Sequence, residues 1–427
     1  MKIDLLYGTD TFPVHLDDGW EVDVIRKLAM PVSPDPQAAV RTALSQATGS
    51  RSLLEEARER SSACILICDI TRPVPNGLLL PIILQQLLDA GIAREKICIL
   101  IATGLHRPNE GQELEELVGS SWVLQNFRVE NHFARNDADH VDLGTTRAGT
   151  RVKLDRRFVD ADLKIATGLV EPHFMAGYSG GRKVIAPGIA HRETITTFHN
   201  ARFMSHPGAD SCILDGNPLH QEQLEIVGML GRVFAVNTVI DEHRKLSFVN
   251  FGEILQSHLE SVAFTRDFVI VPSKRRYRTV VTSAAGYPLD KTYYQTVKGM
   301  VGPVTILEPG GNLIIVSECS EGLGSEEYAD AQRRLINLGA EGFFADISRK
   351  DYAEIDEWQT QMQLKPMRTG TVYLYAGKLS AADKSLTGVQ LIDSVDETLR
   401  KCVAESGDLS VAVIPEGPYV VPVYQPG

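Results

Sequence analysis

Short aliphatic and β-branched runs punctuate the chain at 63–70, 96–104, 162–170, 233–240, 268–272, 279–285, 312–319 and 371–376. Between them fall longer stretches with helical spacing of apolar positions, clearest at 76–90, 328–338 and 395–404. Strand and helix in alternation predict mainly parallel sheets with crossover helices. The polar residues fall where such a fold would use them. ACILICDI runs into Asp69-Ile70-Thr71-Arg72, KICILIATG into Leu105-His106-Arg107, and DLKIATGLV into Glu171-Pro172-His173. A fourth run, VVTSAAGYPLDKTYYQTVKG, repeats the pattern further along. Ligands of parallel α/β sheets collect at the carboxyl ends of strands, so these endings are expected to converge. The predicted fold is α/β, with two mixed α/β domains, mainly parallel sheets and an active-site crevice between them. The charged segment KRRYRT sets the expected division at 1–274, a cofactor-binding domain, and 275–408. The strand-rich and proline-rich tail, 409–427, is read as able to return to the first domain rather than extend the second.

The 427 residues leave room for two or three domains at about 150 residues each. A formal charge of −12 without a basic stripe argues against nucleic acid as a partner, and any anion must find its positive charge locally. No apolar run approaches the roughly 20 residues of a membrane span. The opening MKIDLLYGTD lacks the features of a secretion signal, so no membrane association and a cytoplasmic location are expected. Six cysteines are scattered singly, without a CxxC pair, and read as buried reduced thiols.

Each polar cluster has a structural and a chemical reading. Asp69 and Arg72 could be a local ion pair, or Arg72 a fork for a carboxylate with Asp69 on a ligand hydroxyl and Thr71 fixing the turn. His106 follows Thr-Gly at a strand end, where it is either structural or reactive. Ser179, Gly180 and Gly181 form a turn that can offer backbone N–H groups to an anion, with Lys183 adding a charge or a nucleophilic amine. It is not a phosphate loop of the GxxxxGK[ST] type, because Val184 follows the lysine. His191 and His199, eight apart, are expected on one face of a helix, and either could ligate a metal. On a helix expected over 290–299, Tyr294 and Lys298 share a face with Gln295 beside them, as recognition groups or as a solvated surface. Trp358 is either an aromatic wall or packing. Arg107, Arg182 and Lys298 supply enough positive charge to permit a dicarboxylate.

Taken together, DITRPVP, ATGLHR, EPHFMAGYSGGRK, PGIAHRETI, His199, YYQTVKG and Trp358 resemble, in this order, the nickel-dependent lactate racemase family. The resemblance implies a racemase or epimerase that inverts C2 of a lactate-like, malate-like or aldonic 2-hydroxy acid. It implies a nickel-pincer nucleotide, a pyridinium mononucleotide supplied by dedicated biosynthetic enzymes, tethered through Lys183 with His199 as protein ligand to nickel. Carried over in the same way, His106 and His173 are the acid–base pair. Arg72, Tyr294, Gln295, Lys298 and Trp358 surround the substrate, while Asp69, Thr71, Ser179, Gly180 and Gly181 lie by the cofactor. His191 receives no role. The implied reaction is proton-coupled hydride transfer to the cofactor through a 2-keto acid. Two alternatives remain at this point: a non-catalytic or accessory anion- or cofactor-binding protein of the same fold, and a lysine Schiff-base enzyme acting through Lys183.

Overall fold

A computed structural model describes residues 1–426, and it divides the chain into two compact units. One comprises 29–198 and 213–267; the other comprises 1–28, 199–212 and 268–427.

The first unit is built on a six-stranded sheet. In spatial order its strands are Leu246–Glu253, Phe234–Ile240, Leu163–Leu169, Ala63–Cys68, Ile97–Ala102 and Arg128–Asn131. All neighbours are parallel except the antiparallel pair Phe234–Ile240 with Leu246–Glu253. Ala63–Cys68 and Ile97–Ala102 are almost wholly buried, which explains why their sequences are continuous rather than alternating aliphatic runs. On one face Ile65, Ile67, Ile99 and Ile101 join Leu80, Ile83, Leu84 and Leu87 of the helix Asn76–Asp89 in the core. From Ala63–Cys68 the chain builds outward in one direction through Ile97–Ala102 and Arg128–Asn131. It then places Leu163–Leu169 on the other side of Ala63–Cys68. The strand order therefore reverses beside Ala63–Cys68, which is where open α/β sheets bind ligands.

The second unit carries a wholly parallel six-stranded sheet, ordered Gln390–Leu391, Gly370–Ala376, Leu307–Ser317, Tyr277–Ser283, Ser410–Ile414 and Glu21–Val24. Alternate residues serve two cores. Val280, Leu313, Ile315 and Leu374 face one side, and Val281, Ile314, Val316 and Val413 the other.

This topology corrects the expected boundaries. The tail extends the second unit, because Ser410–Ile414 lies between Tyr277–Ser283 and Glu21–Val24, and Val421–Tyr424 pairs with Ile270–Ser273. Residues 1–28 belong with it for the same reason, and KRRYRT joins two strands of one unit. A parallel strand's partner can lie hundreds of residues away, so local composition does not reveal it.

Candidate active site

In the first unit the switch-point strands deliver the predicted residues together. Asp69 follows Ala63–Cys68 and is buried, and Thr71 folds back onto it, its hydroxyl donating to Asp69 Oδ1 at 2.6 Å and its N–H at 3.2 Å. His106, after the adjacent strand, places Nδ1 2.6 Å from Asp69 Oδ2. Burial alone would raise the Asp69 carboxyl, but the His106 charge and hydrogen bond, with those of Thr71 and Arg72, outweigh it and hold it below the usual range. Asp69 is therefore an anion, and Nδ1 of His106 carries the proton donated to it. Arg72 is not in a local ion pair with Asp69. Its Nη1 donates to Glu171 Oε1 at 2.6 Å, which spans two strand endings.

His173 is set the opposite way. The backbone N–H groups of Met175 and Ala176 donate to its Nδ1 at 3.3 and 3.2 Å. An Nδ1 that accepts two hydrogen bonds bears no proton, so the neutral ring carries its hydrogen on Nε2. The two histidines are thus held in opposite senses at Nδ1, His106 donating and His173 accepting, each by its own strand ending.

The glycine-rich turn is buried rather than open. Ser179 Oγ donates to Leu169 O at 2.6 Å and accepts from Glu171 N, while Ser179 N donates to Glu171 O and Gly181 N to Asn237 Oδ1. The expectation that Ser179 and Gly181 offer these N–H groups to an anion is corrected: they are already spent. Gly180 and Gly181 have positive φ, and a Cβ would meet Val170 and the His258 ring at 2.7 and 2.8 Å respectively. The turn's service is to bring Lys183 inward. Burial first, then the neighbouring charges of Arg72 and Arg182, lower the Lys183 ammonium to about 7. Arg182 itself is 2% exposed, donating to His258 Nε2 and to Ala176 O, each at 2.8 Å, and Arg107 pairs doubly with Glu113. Neither is arranged as a substrate group.

His191 and His199 do not share a helix. The helix occupies only Arg192–Phe198, and Asn200 then caps a new one, accepting from Arg202 N and Phe203 N. His191 instead belongs to a buried row, its ring centroid 5.0 Å from that of His140, which lies 5.1 Å from that of His132.

In the second unit, His199 lies with its ring 4.9 Å from Trp358. Trp358 Nε1 donates to Tyr294 Oη at 3.2 Å, and Gln359 Nε2 donates to the Tyr294 carbonyl. Tyr294, Gln295 and Lys298 lie on the helix Tyr293–Val301, capped by Thr292. Its recognition face is not a solvated one. Tyr294 and Lys298 are half-buried, and Gln295 is buried with no hydrogen-bond partner for its Oε1. Asp356, which no sequence motif marks, holds the left-handed φ of 64° and accepts from Ser325 Oγ at 2.5 Å. Aspartate tolerates that conformation, and it starts the helix that carries Trp358 and Gln359 to Tyr294. Glu171 was also passed over, although the Glu-Pro-His ending contained it.

Comparison with known proteins places these residues in context. Residues 7–211 match the family described as the lactate racemase N-terminal domain, and 273–422 the lactate racemase C-terminal domain. A lactate racemase of Thermoanaerobacterium thermosaccharolyticum is 30% identical over 98% of this chain and 99% of its own. One of Lactiplantibacillus plantarum is 29% identical over 98% of each. The solved apoprotein structure of the Thermoanaerobacterium thermosaccharolyticum lactate racemase superposes with a TM-score of 0.89 at 28% identity, covering 99% of this chain and 100% of that one. A Thermotoga maritima crystal structure, 18% identical with a TM-score of 0.71 over 93% of this chain and 100% of its own, shares the fold. With both domains matched in order and a 30% identical relative aligned almost end to end, the chain belongs to the lactate racemase family, a family of isomerases.

Proposed function

We propose that this protein is a 2-hydroxy acid racemase or epimerase that works with a nickel-pincer nucleotide. The observation that carries the reading is the pair of strand-ending histidines, with Nδ1 of His106 on the Asp69 carboxylate and Nδ1 of His173 on two backbone N–H groups. Inverting one carbon through a keto acid requires a group that takes the hydroxyl proton and returns it, and one that holds the oxygen when the other face is presented. Both rings are held at Nδ1, His106 by Asp69 and His173 by two backbone N–H groups, so Nε2 is the nitrogen that would meet the substrate oxygen.

The residues fit the cofactor. Lys183, with its ammonium lowered to about 7, is substantially a neutral amine and so suited to covalent attachment. Among the described residues no group of three or more His, Cys, Asp or Glu is arranged around a metal. A metal used here would have to bring most of its own donors, as a pincer does, and His199 would add one. When bound, the nickel-pincer nucleotide would supply an acceptor and donor for the C2 hydrogen as hydride.

The chain's own residues do the rest. Arg72 binds the substrate carboxylate in competition with, or alongside, Glu171. Nε2 of His106 accepts the hydroxyl proton of one enantiomer, relayed toward no other group because Asp69 stays ionised. Nε2–H of His173 donates a hydrogen bond to the carbonyl oxygen of the planar keto acid when its other face is presented, and the proton taken by His106 returns to that oxygen.

The test is to load the protein with cofactor, verify the load by intact mass, and supply single enantiomers of lactate, malate and aldonic acids. Chiral chromatography should show the opposite configuration growing from one of them. Fully loaded protein that inverts none of these acids overturns the reading.

A further inference from the structure

At the opposite end of the first unit's sheet from Asp69, four register partners form a row across adjacent parallel strands: Lys164, Cys64, Cys98 and Arg128. Register partners point to the same face, and this is the face opposite Ile65, Ile67, Ile99 and Ile101. Two thiols are therefore side by side, flanked at both ends by cations. Cys98 is the direct cross-strand partner of Cys64 on one side and of Arg128 on the other. Cα atoms on neighbouring strands stand about 4.8 Å apart, inside the roughly 4.4–6.8 Å span that a disulfide bridges. Cys64 is fully buried, and Cys98 is the one that reaches solvent, at 6% exposure.

Their surroundings set the two thiols apart. The neighbouring Cys64 thiol, opposed by burial and then aided by Arg128, lowers Cys98, while burial foremost raises Cys64. Glu130 pairs with both Arg128 and Arg157, so it shares the cation beside Cys98, and Asp155 pairs with Arg157 and His132. Lys164 Nζ donates to Ala161 O at 2.6 Å. A thiolate beside cations, next to a second thiol, is the environment of an oxidation-sensitive cysteine with its resolving partner.

We propose that Cys98 and Cys64 form a reversible disulfide pair, with Cys98 as the thiol attacked by a small hydroperoxide. The Cys98 thiolate attacks the peroxide's terminal oxygen, breaking the O–O bond and leaving a sulfenic acid while hydroxide or alkoxide departs. The Cys64 sulfur then displaces that oxygen as water, its own proton supplying one hydrogen, and the S–S bond closes. Two electrons leave the thiol pair and reduce the peroxide. The bridge ties together the two strands whose far ends carry Asp69 and His106.

Hydrogen peroxide is added to the full-length protein, remaining thiols are blocked with N-ethylmaleimide, and intact mass and peptide mapping follow. The expected product has lost two hydrogens, yields a linked Cys64–Cys98 peptide, and reverts with dithiothreitol. Cys64→Ser should stop at a Cys98 sulfenic acid that dimedone traps. Arg128→Ala should slow peroxide consumption at Cys98 on the order of tenfold. Oxidation that begins at Cys68 or Cys212 and leaves Cys64 and Cys98 unlinked overturns the proposal, as does an Arg128→Ala variant that reacts as fast as the parent. Mapping of the parent protein decides the matter even if a variant folds poorly.

Discussion

Asp69 Oδ2 stands 2.6 Å from Nδ1 of His106, and that bond holds a proton on Nδ1 and fixes the ring's orientation. Asp69→Asn keeps the shape but presents an amide that can donate to Nδ1, which would shift the ring's proton to Nε2. Turnover of the loaded enzyme should fall about 10²- to 10³-fold with cofactor content unchanged by mass. A variant that keeps parental turnover removes the positioning role from Asp69.

Lys183 yields a prediction that needs no substrate. Its amine should acylate with a midpoint near pH 7 in the cofactor-free protein, where an exposed lysine would have one near about 10.4. Arg72→Ala removes a neighbouring positive charge and should move the midpoint upward. Lys183→Ala should abolish cofactor attachment, and an adduct still present in the intact mass would contradict the tether.

Acid should weaken the first unit. Burial first, then the charge of His132, lowers His140; burial and then His140 lower His191; burial and then Arg182 lower His220 to about 3. These groups bind protons more readily in the unfolded chain, so their contribution is complete above the unfolded value of about 6.5 and is lost as pH falls below it. The thermal midpoint of the cofactor-free protein should drop between pH 7.5 and pH 5. His140→Gln, which removes one such group facing His132, Asp155 and Asp139, should flatten that slope whatever it does to the midpoint itself.

Tyr294→Phe strips the acceptor from Trp358 Nε1, in a side chain only 6% exposed. A buried donor left unpaired costs about 1–3 kcal/mol. Chemical denaturation should register that loss together with a change in tryptophan emission, and an unchanged midpoint would show the indole finding another partner.

Much of this was legible beforehand. Buried parallel strands are written as unbroken aliphatic runs, so Ala63–Cys68, Ile97–Ala102 and Leu163–Leu169 announced themselves, and so did the polar residues after them. The pairing of Arg72 with Glu171 was hidden, because it joins endings 99 positions apart. The helix over 191–199 was misread because Asn200 caps a fresh turn, and a cap's backbone preference is not visible in apolar periodicity. The open anion loop was a misreading too. Glycine signals freedom of backbone, whereas here it serves close packing against Val170 and His258.

The pairing of Glu21–Val24 with Ser410–Ile414 has a consequence in time. A ribosome making about 5–20 residues per second releases the first of these strands well before the second exists. For roughly 20 to 80 seconds that edge has no partner. The first unit has all of its segments by Asp267 and can close during synthesis, while the earliest-made strand waits for nearly the last.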